Sequence, residues 1–274
     1  MKIGYLGPES SFSHQAARKQ FAKENLIAYA SIPACLQAAL KEEIDFAIVP
    51  IENSLEGTVH ATIDTLSQNP RLQVLSEVIL PIKQQLLALT KGDFKKIYSH
   101  PQALAQSQKF LATNYPMAEL IPTASTTAAC DYVVTHSGEA VAAIASYEAA
   151  TFYDLKVISS DIQDNDFNQT RFWLVGTNQT FNFGTAEKMS LILTLPANHA
   201  GALHQMLAAF GWRQIDLSKI ESRPLKTSLG EYFFVVDLLL NCPQQLIENA
   251  LEEIELLGGE VTCLGTYPVK FAHN

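Results

Sequence analysis

Short apolar strands alternate with helical patterns along the first 160 residues, and this alternation limits the possible folds most strongly. Residues 2–7 (KIGYLG) have the pattern of a strand, and residues 11–21 (SFSHQAARKQF) that of a helix with a serine N-cap. A helix at 32–41 and a strand at 46–49 follow in the same order. Such alternation predicts α/β layers around mostly parallel strands.

The same alternation continues over the next hundred residues. Further strands are predicted at 72–80, 85–89, 97–99 and 140–146. Further helices are predicted at 100–114 and 146–155.

The pattern changes after a polar segment at 177–187, which we interpret as a linker. The remaining elements are predicted in the order βαββαβ, the ferredoxin-like α+β arrangement, over about 85 residues. Its strands are predicted at 189–196, 215–224, 231–240 and 261–268, and its helices at 199–211 and 243–259.

Charge and cysteine content exclude several classes of function. The 274-residue chain has a formal net charge of −9, which disfavours unspecific nucleic-acid binding. No apolar stretch approaches the roughly 20 residues of a membrane span, and the N-terminus does not resemble a signal peptide. The cysteines (35, 130, 242 and 263) lack metal-ligand spacing, so we expect reduced, mostly buried thiols, no metal and a cytoplasmic location.

Two polar clusters stand next to apolar strands. Glu52, Asn53 and Ser54 follow the strand that ends near Pro50, where α/β sheets bind ligands. Thr170 and Arg171 precede the strand RFWLVG. A surface turn explains the first cluster equally well, and Arg171 is either a solvent-facing side chain packed on aromatics or a fork for a carboxylate. His14 and His100, near helix starts, are interpreted as capping or packing residues.

The motifs taken together resemble those of the prephenate dehydratase family over nearly the whole chain. The catalytic motifs are GPESSFSHQAA (7–17), PIENSLEG (50–57), SHPQALAQ (99–106), STTAA (125–129) and NQTRF (168–172). The C-terminal part resembles an ACT domain through GALH (201–204) and ESRP (221–224). His204 stands where the family usually has valine.

The resemblance implies a catalytic domain at residues 1–180 with two α/β subdomains and a cleft, like a type 2 periplasmic binding protein. Subdomain 1 is expected at about 1–79 and 158–180, and subdomain 2 at about 80–157. A ferredoxin-like ACT regulatory domain is expected at 188–274.

The resemblance also implies a reaction. Prephenate loses water and carbon dioxide to give phenylpyruvate, without a cofactor. Thr170 is the expected hydrogen-bond donor to the leaving hydroxyl, and Glu52 is a rival general acid if burial raises its pKa. Arg171 is expected to bind the pyruvyl carboxylate, because a strong ion pair to the departing ring carboxylate would slow decarboxylation. The other expected substrate-binding residues are Asn53, Ser54, Ser99, Gln106, Ser125, Thr126 and Phe172. Some relatives carry an acidic residue at the position of Ala124, which argues against an essential acid there.

The ACT resemblance implies allosteric feedback by L-phenylalanine in a homodimer or homotetramer. The expected effector-binding residues are Gly201, Ala202, Leu203, Glu221, Ser222, Arg223 and Pro224. An ACT domain that only oligomerises the chain is the alternative. Two further alternatives are an arogenate dehydratase and a non-catalytic binding protein that carries an ACT sensor.

Overall fold

Three β-sheets organise the part of the chain that the computed structural model describes, which comprises residues 1–177, 181–195, 200–225 and 232–272. The strands are β1 (Lys2–Leu6), β2 (Asn25–Tyr29), β3 (Phe46–Asn53), β4 (Gly57–Thr58), β5 (Gln73–Pro81), β6 (Gln85–Ala88), β7 (Lys96–Ser99), β8 (Glu119–Pro122), β9 (Val141–Ala145), β10 (Lys156–Ser159), β11 (Gln169–Gly176), β12 (Lys188–Thr194), β13 (Leu217–Pro224), β14 (Tyr232–Leu239), β15 (Glu260–Tyr267) and β16 (Val269–Phe271). The helices are α1 (Phe12–Gln20), α2 (Ile32–Leu40), α3 (His60–Ser67), α4 (Pro101–Ala105), α5 (Gln108–Asn114), α6 (Thr126–Thr135), α7 (Tyr147–Phe152), α8 (Ala202–Gly211) and α9 (Gln244–Leu256).

The first sheet has the strand order β16-β5-β11-β3-β1-β2, with β4 paired to β3. Hydrophobic cores cover both of its faces, and Trp173 and Phe172 on β11 belong to opposite cores. Because side chains alternate across a strand, neighbours on β11 face different environments.

The second sheet has the order β10-β6-β9-β7-β8 and carries two cores of its own. The chain enters it after β5 and returns to the first sheet at β11, so two crossings connect the sheets. They fall at 82–84 and 160–168, next to the expected positions near 80 and 158. The predicted two-sheet α/β architecture is therefore confirmed.

The third sheet is antiparallel with the order β13-β14-β12-β15, and α8 and α9 pack on one face. The chain order β12-α8-β13-β14-α9-β15 confirms the predicted βαββαβ arrangement. On its opposite face, Phe233, Val235 and Tyr267 join the core that contains Val49 and Trp173 of the first sheet.

The final strand departs from the predicted domain division. We expected residues 188–274 to form one domain, but Val269–Phe271 pair in parallel with Glu77–Ile79 of the first sheet. Ala272 also donates its backbone N–H to the Ile79 carbonyl at 2.9 Å. We therefore propose that the C-terminal domain ends near Tyr267 and that β16 belongs to the first sheet.

The sequence predictions miss several elements of the structure, namely β2, β4, α3, β8, α6 and β10. The helix predicted at 100–114 is two helices, since the chain bends at Gln106–Ser107 between α4 and α5. Cys35 and Cys130 are buried free thiols as predicted, while Cys263 is exposed. Part of the predicted linker, 178–180, lies outside the described residues. No helix within the described ranges is long and apolar enough to cross a membrane, and the cytoplasmic location stays a prediction.

Gly265 on β15 allows the third sheet to approach the first. A Cβ atom at this position would lie 2.1 Å from the backbone oxygen of Val74, and φ is +155°. We expect Gly265→Ala to destabilise the protein by about 2–3 kcal/mol, because a backbone atom cannot move aside easily. Thermal unfolding should show a Tm lower by about 5–10 °C.

Gly92→Ala is the matched control for this substitution, since a Cβ at Gly92 meets nothing within 4 Å. An unchanged Tm for Gly265→Ala would contradict the close packing of the two sheets.

Candidate functional site

A cavity of about 290 Å³ lies between the first and second sheets and collects residues from most of the sequence motifs. A larger cavity of about 800 Å³, beside Arg71 and Phe181, contains none of the predicted site residues. The cleft between the sheets is lined by Phe12, Asn53, Ile82, Gln84, His100, Gln102, Ala103, Gln106, Ala124, Ser125, Thr126 and Thr170.

Thr170 and Asn53 meet because β11 and β3 pair antiparallel with these residues in register. The Asn53 amide nitrogen donates to the Thr170 hydroxyl oxygen at 2.9 Å. The Asn53 amide oxygen accepts the backbone N–H groups of Leu55 and Glu56, which fixes the orientation of the amide. The Thr170 hydroxyl is thus held as an acceptor, which leaves its own hydrogen for an acceptor in the cleft.

A chain of amide groups extends this contact to the second sheet. Asn53 also donates to Asn168 at 2.9 Å, and Asn168 donates to the Gln106 amide oxygen at 2.8 Å. The Gln106 amide nitrogen and the Gln84 amide oxygen are buried without a partner among the described residues. Because buried polar groups are normally paired, both point to a polar ligand in the cleft.

Helix starts contribute further polar groups to the cleft. Ser125 caps α6 by accepting the Ala128 N–H at 3.0 Å, and Thr126 is the first residue of that helix. The first turn of α6 therefore presents free N–H groups and a partial positive charge to an anion. His100 caps α4 as predicted, by accepting the Gln102 N–H at 3.3 Å.

Some predicted site residues have structural roles instead. Ser99 is buried and donates to the Ile144 carbonyl at 2.6 Å, and Ser54 holds the loop through the Phe167 carbonyl at 3.1 Å. Phe172 is buried in the core of the first sheet. None of the three lines the cleft, whereas Gln84, which the motifs did not indicate, does. The feature that could have indicated Gln84 as a cleft residue is its position just before β6, where the chain enters the second sheet.

Arg171, which we predicted to bind a substrate carboxylate, is not among the described residues that line the cleft. Arg171 follows Thr170 on the strand and therefore points away from the cleft. Its guanidinium donates to Glu52 at 2.6 Å, to Glu77 at 2.5 Å and to Asp237 of the third sheet at 2.6 Å. These carboxylates accept the guanidinium N–H groups that we predicted to bind a carboxylate of the substrate.

Glu52 is likewise a poor candidate for the general acid. Its carboxylate accepts Lys219 at 2.9 Å and Arg171 at 2.6 Å, on the side away from the cleft. Burial acts to raise the pKa of Glu52, but the hydrogen bonds from Lys219 and Arg171 outweigh burial and hold the pKa below its ordinary value. Glu52 is therefore ionised at neutral pH.

The predicted effector residues separate into two groups. Gly201, with φ of +89°, precedes α8, and a cavity of about 690 Å³ lies against Gly201, Ala202, Leu203 and His204. Within one chain, Glu221 and Arg223 face the first sheet instead, where Glu221 accepts Thr58 and Arg223 donates to Asp64 at 2.7 Å. Ser222 and Pro224 are exposed on the other side of β13.

A scan against protein-family models matches residues 3–180 to the model described as prephenate dehydratase. The chain belongs to the prephenate dehydratase family. This assignment confirms the family and the enzyme class that the motifs predicted.

Individual prephenate dehydratases match over almost their entire length. The prephenate dehydratase of Lactococcus lactis subsp. lactis (strain IL1403) is 49% identical, with 98% of both chains covered. That of Bacillus subtilis (strain 168) is 42% identical, covering 97% of this chain and 98% of the relative. The crystal structure of the Arthrobacter aurescens prephenate dehydratase in complex with L-Phe has a TM-score of 0.88 and 32% identity, covering 98% of this chain and 90% of that one.

The lowered pKa of Glu52 predicts a pH-dependent contribution to stability in this prephenate dehydratase. The carboxylate stabilises the folded state above about pH 4.5, and this contribution is lost as the pH falls through the folded-state pKa. We expect Glu52→Gln to lower Tm by about 3–8 °C at pH 7. The Tm difference from the wild type should narrow over the acidic range in which the pH falls through the lowered folded-state pKa of Glu52. A constant difference over this range would show that Glu52 is not an ionised partner.

Proposed function

We propose that the cleft converts prephenate to phenylpyruvate, and that phenylalanine regulates this step through the C-terminal domain. The observation that carries the first part is the Thr170 hydroxyl, which Asn53 orients inside a cavity lined by neutral polar side chains. The full-length match to prephenate dehydratases supports the same reaction.

The reaction breaks two bonds of the prephenate ring: the C–O bond to the hydroxyl group and the C–C bond to the ring carboxylate, which leaves as carbon dioxide. The electron pair of the bond to the ring carboxylate enters the ring, which becomes aromatic, and the ring hydroxyl leaves with its bonding pair. Thr170 donates a hydrogen bond to the departing oxygen, where negative charge develops. Solvent supplies the proton that completes the water molecule, because a threonine hydroxyl is too weak an acid to ionise.

The neutrality of the cleft favours decarboxylation. No Arg, Lys, Asp or Glu is among the described residues that line it. A cation bound to the ring carboxylate would stabilise the substrate more than the transition state. Neutral donors such as Gln106, together with the start of α6, hold the dianion without that penalty.

The same lining favours prephenate over arogenate. Arogenate carries an ammonium group in place of the keto group of prephenate. The described residues of the cleft provide no carboxylate to pair with an ammonium group. We therefore expect a higher kcat/KM for prephenate than for arogenate.

Removal of the Thr170 hydroxyl tests the catalytic role. We expect Thr170→Ala to lower kcat at least about a hundredfold, since it removes the donor to the leaving group. Thr170→Ser keeps a hydroxyl at the same atom and should retain most of the activity. Phenylpyruvate formation measures both variants, and substrate binding to Thr170→Ala should persist. Equal kcat in all three proteins would exclude Thr170 from catalysis.

Two observations support regulation by phenylalanine. The first turn of α8 offers free N–H groups for a carboxylate, beside a cavity with apolar walls that include Leu195, Leu207 and Phe234. The related Arthrobacter aurescens prephenate dehydratase was crystallised in complex with L-Phe. Because Ser222 and Pro224 are exposed on the edge strand β13, we propose that they complete this site from a second copy in a homodimer or homotetramer.

His204 provides a test of the effector site. An imidazole at the wall of an apolar cavity weakens the burial of a phenyl ring. We expect phenylalanine to inhibit the wild type and His204→Val to need a severalfold lower phenylalanine concentration for half inhibition. The measurement is phenylpyruvate formation against phenylalanine concentration. Wild-type turnover that does not respond to phenylalanine would leave the alternative of a purely oligomerising domain.

A further inference from the structure

Seven charged side chains of the described residues form an ion cluster between the first and third sheets: Glu52, Glu77, Arg171, Lys188, Lys219, Glu221 and Asp237. The first sheet contributes the first three residues and the third sheet the last four. Each sheet therefore brings both signs of charge, and the cluster contains three cations and four anions.

Direct ion pairs connect the two sheets at three places. Arg171 contacts Asp237 at 2.6 Å, Lys188 contacts Glu77 at 2.8 Å and Lys219 contacts Glu52 at 2.9 Å. The side chains of Glu77 and Asp237 are fully buried.

Neutral groups complete the hydrogen bonds of the buried acids. Trp173 donates its indole N–H to Glu77 at 3.1 Å, and Ser190 donates to Asp237 at 2.6 Å. Removing one partner from such a cluster leaves a buried charge without compensation, so the arrangement strongly favours one geometry.

The cluster is covalently adjacent to the catalytic groups. Arg171 follows Thr170 on β11, and Glu52 precedes Asn53 on β3. The two strands pair Thr170 with Asn53 and Arg171 with Glu52, so the ion pair and the catalytic hydrogen bond occupy successive rungs of one ladder.

We propose that Arg171 is a positioning residue through which the third sheet sets the geometry of Thr170 and Asn53. Arg171 does not touch substrate in this assignment, and it acts through the ion cluster. The inference rests on the proposed role of Thr170. It gives the C-terminal domain a route to the cleft through packed side chains.

Asp237→Asn tests the proposal, because it removes the charge that the third sheet presents to Arg171 and keeps the size of the side chain. We expect kcat for prephenate to fall about tenfold to a hundredfold, as for a misplaced catalytic group, while KM stays within about twofold. Lys219→Met removes the contact to Glu52 and should likewise lower kcat while KM stays within about twofold. This variant replaces Asp237→Asn in the test if Asp237→Asn does not fold. Thermal unfolding establishes that each variant is folded at the assay temperature.

Asp64→Asn is the matched control. Asp64, on α3, pairs with Arg223 of the third sheet at 2.7 Å, but neither residue contacts Arg171 or Glu52 in the ion pairs of this interface. Loss of this pair should leave kcat within about twofold. A fall in kcat equal to that of Asp237→Asn would attribute the effect to general loosening of the interface and overturn the proposal.

A double-mutant cycle separates positioning from direct substrate binding. Arg171→Lys keeps the charge but loses the fork that reaches three carboxylates. If both residues act through one cluster, the double variant Arg171→Lys with Asp237→Asn should be little worse in kcat than the poorer single variant. Multiplied losses would show that the two residues act independently, and a large rise in KM for Arg171→Lys would show that Arg171 contacts substrate; either result would overturn the proposal. A wild type without turnover would overturn the proposed function itself, and unchanged kcat in Asp237→Asn would overturn only the positioning role.

Discussion

The Arg171 guanidinium lies between carboxylates from two different sheets, and the relation between the catalytic part and the C-terminal domain depends on this contact. A buried guanidinium tolerates few arrangements, because each displaced carboxylate leaves an unpaired charge in an apolar surrounding. Asp237 raises the pKa of Arg171 further and keeps it charged, although burial acts in the opposite direction. The apolar side chains around Trp173 and Tyr267 provide buried surface between the first and third sheets, and the ion pairs determine the relative orientation of these two sheets.

Strand alternation separates two chemistries that would interfere with each other. Thr170 and Asn53 lie on the side of the cleft, where neutral polar side chains line the cavity. Arg171 and Glu52, one residue away, lie on the side of the third sheet, where charges pair with charges. A one-residue shift of β11 would exchange these environments, so the hydrogen-bond register determines which side chains face the cleft.

The sequence predicts the elements well because hydrophobic periodicity is local. The βαββαβ order and most strand positions depend on patterns within about ten residues. The roles of Arg171 and Glu52 could not be predicted in the same way, because they depend on Asp237 and Lys219, which are distant in sequence and close only after the sheets pack. Family motifs grouped Asn53, Gln106 and Thr170, which line one cavity, but motifs do not indicate to which side of a strand a residue points. Gln84 was missed because a single amide at a crossing has no pattern, and β16 because a three-residue strand has no measurable periodicity.

The return of β16 to the first sheet also affects how the protein folds during synthesis. Its partner β5 is made nearly two hundred residues earlier, so that edge of the first sheet stays open while the second sheet and the C-terminal domain emerge from the ribosome. The strand closes the edge only when Val269–Phe271 are released. The first sheet is therefore completed only after β16 has emerged, and a chain that stalls before residue 269 carries an unpaired strand edge prone to aggregation.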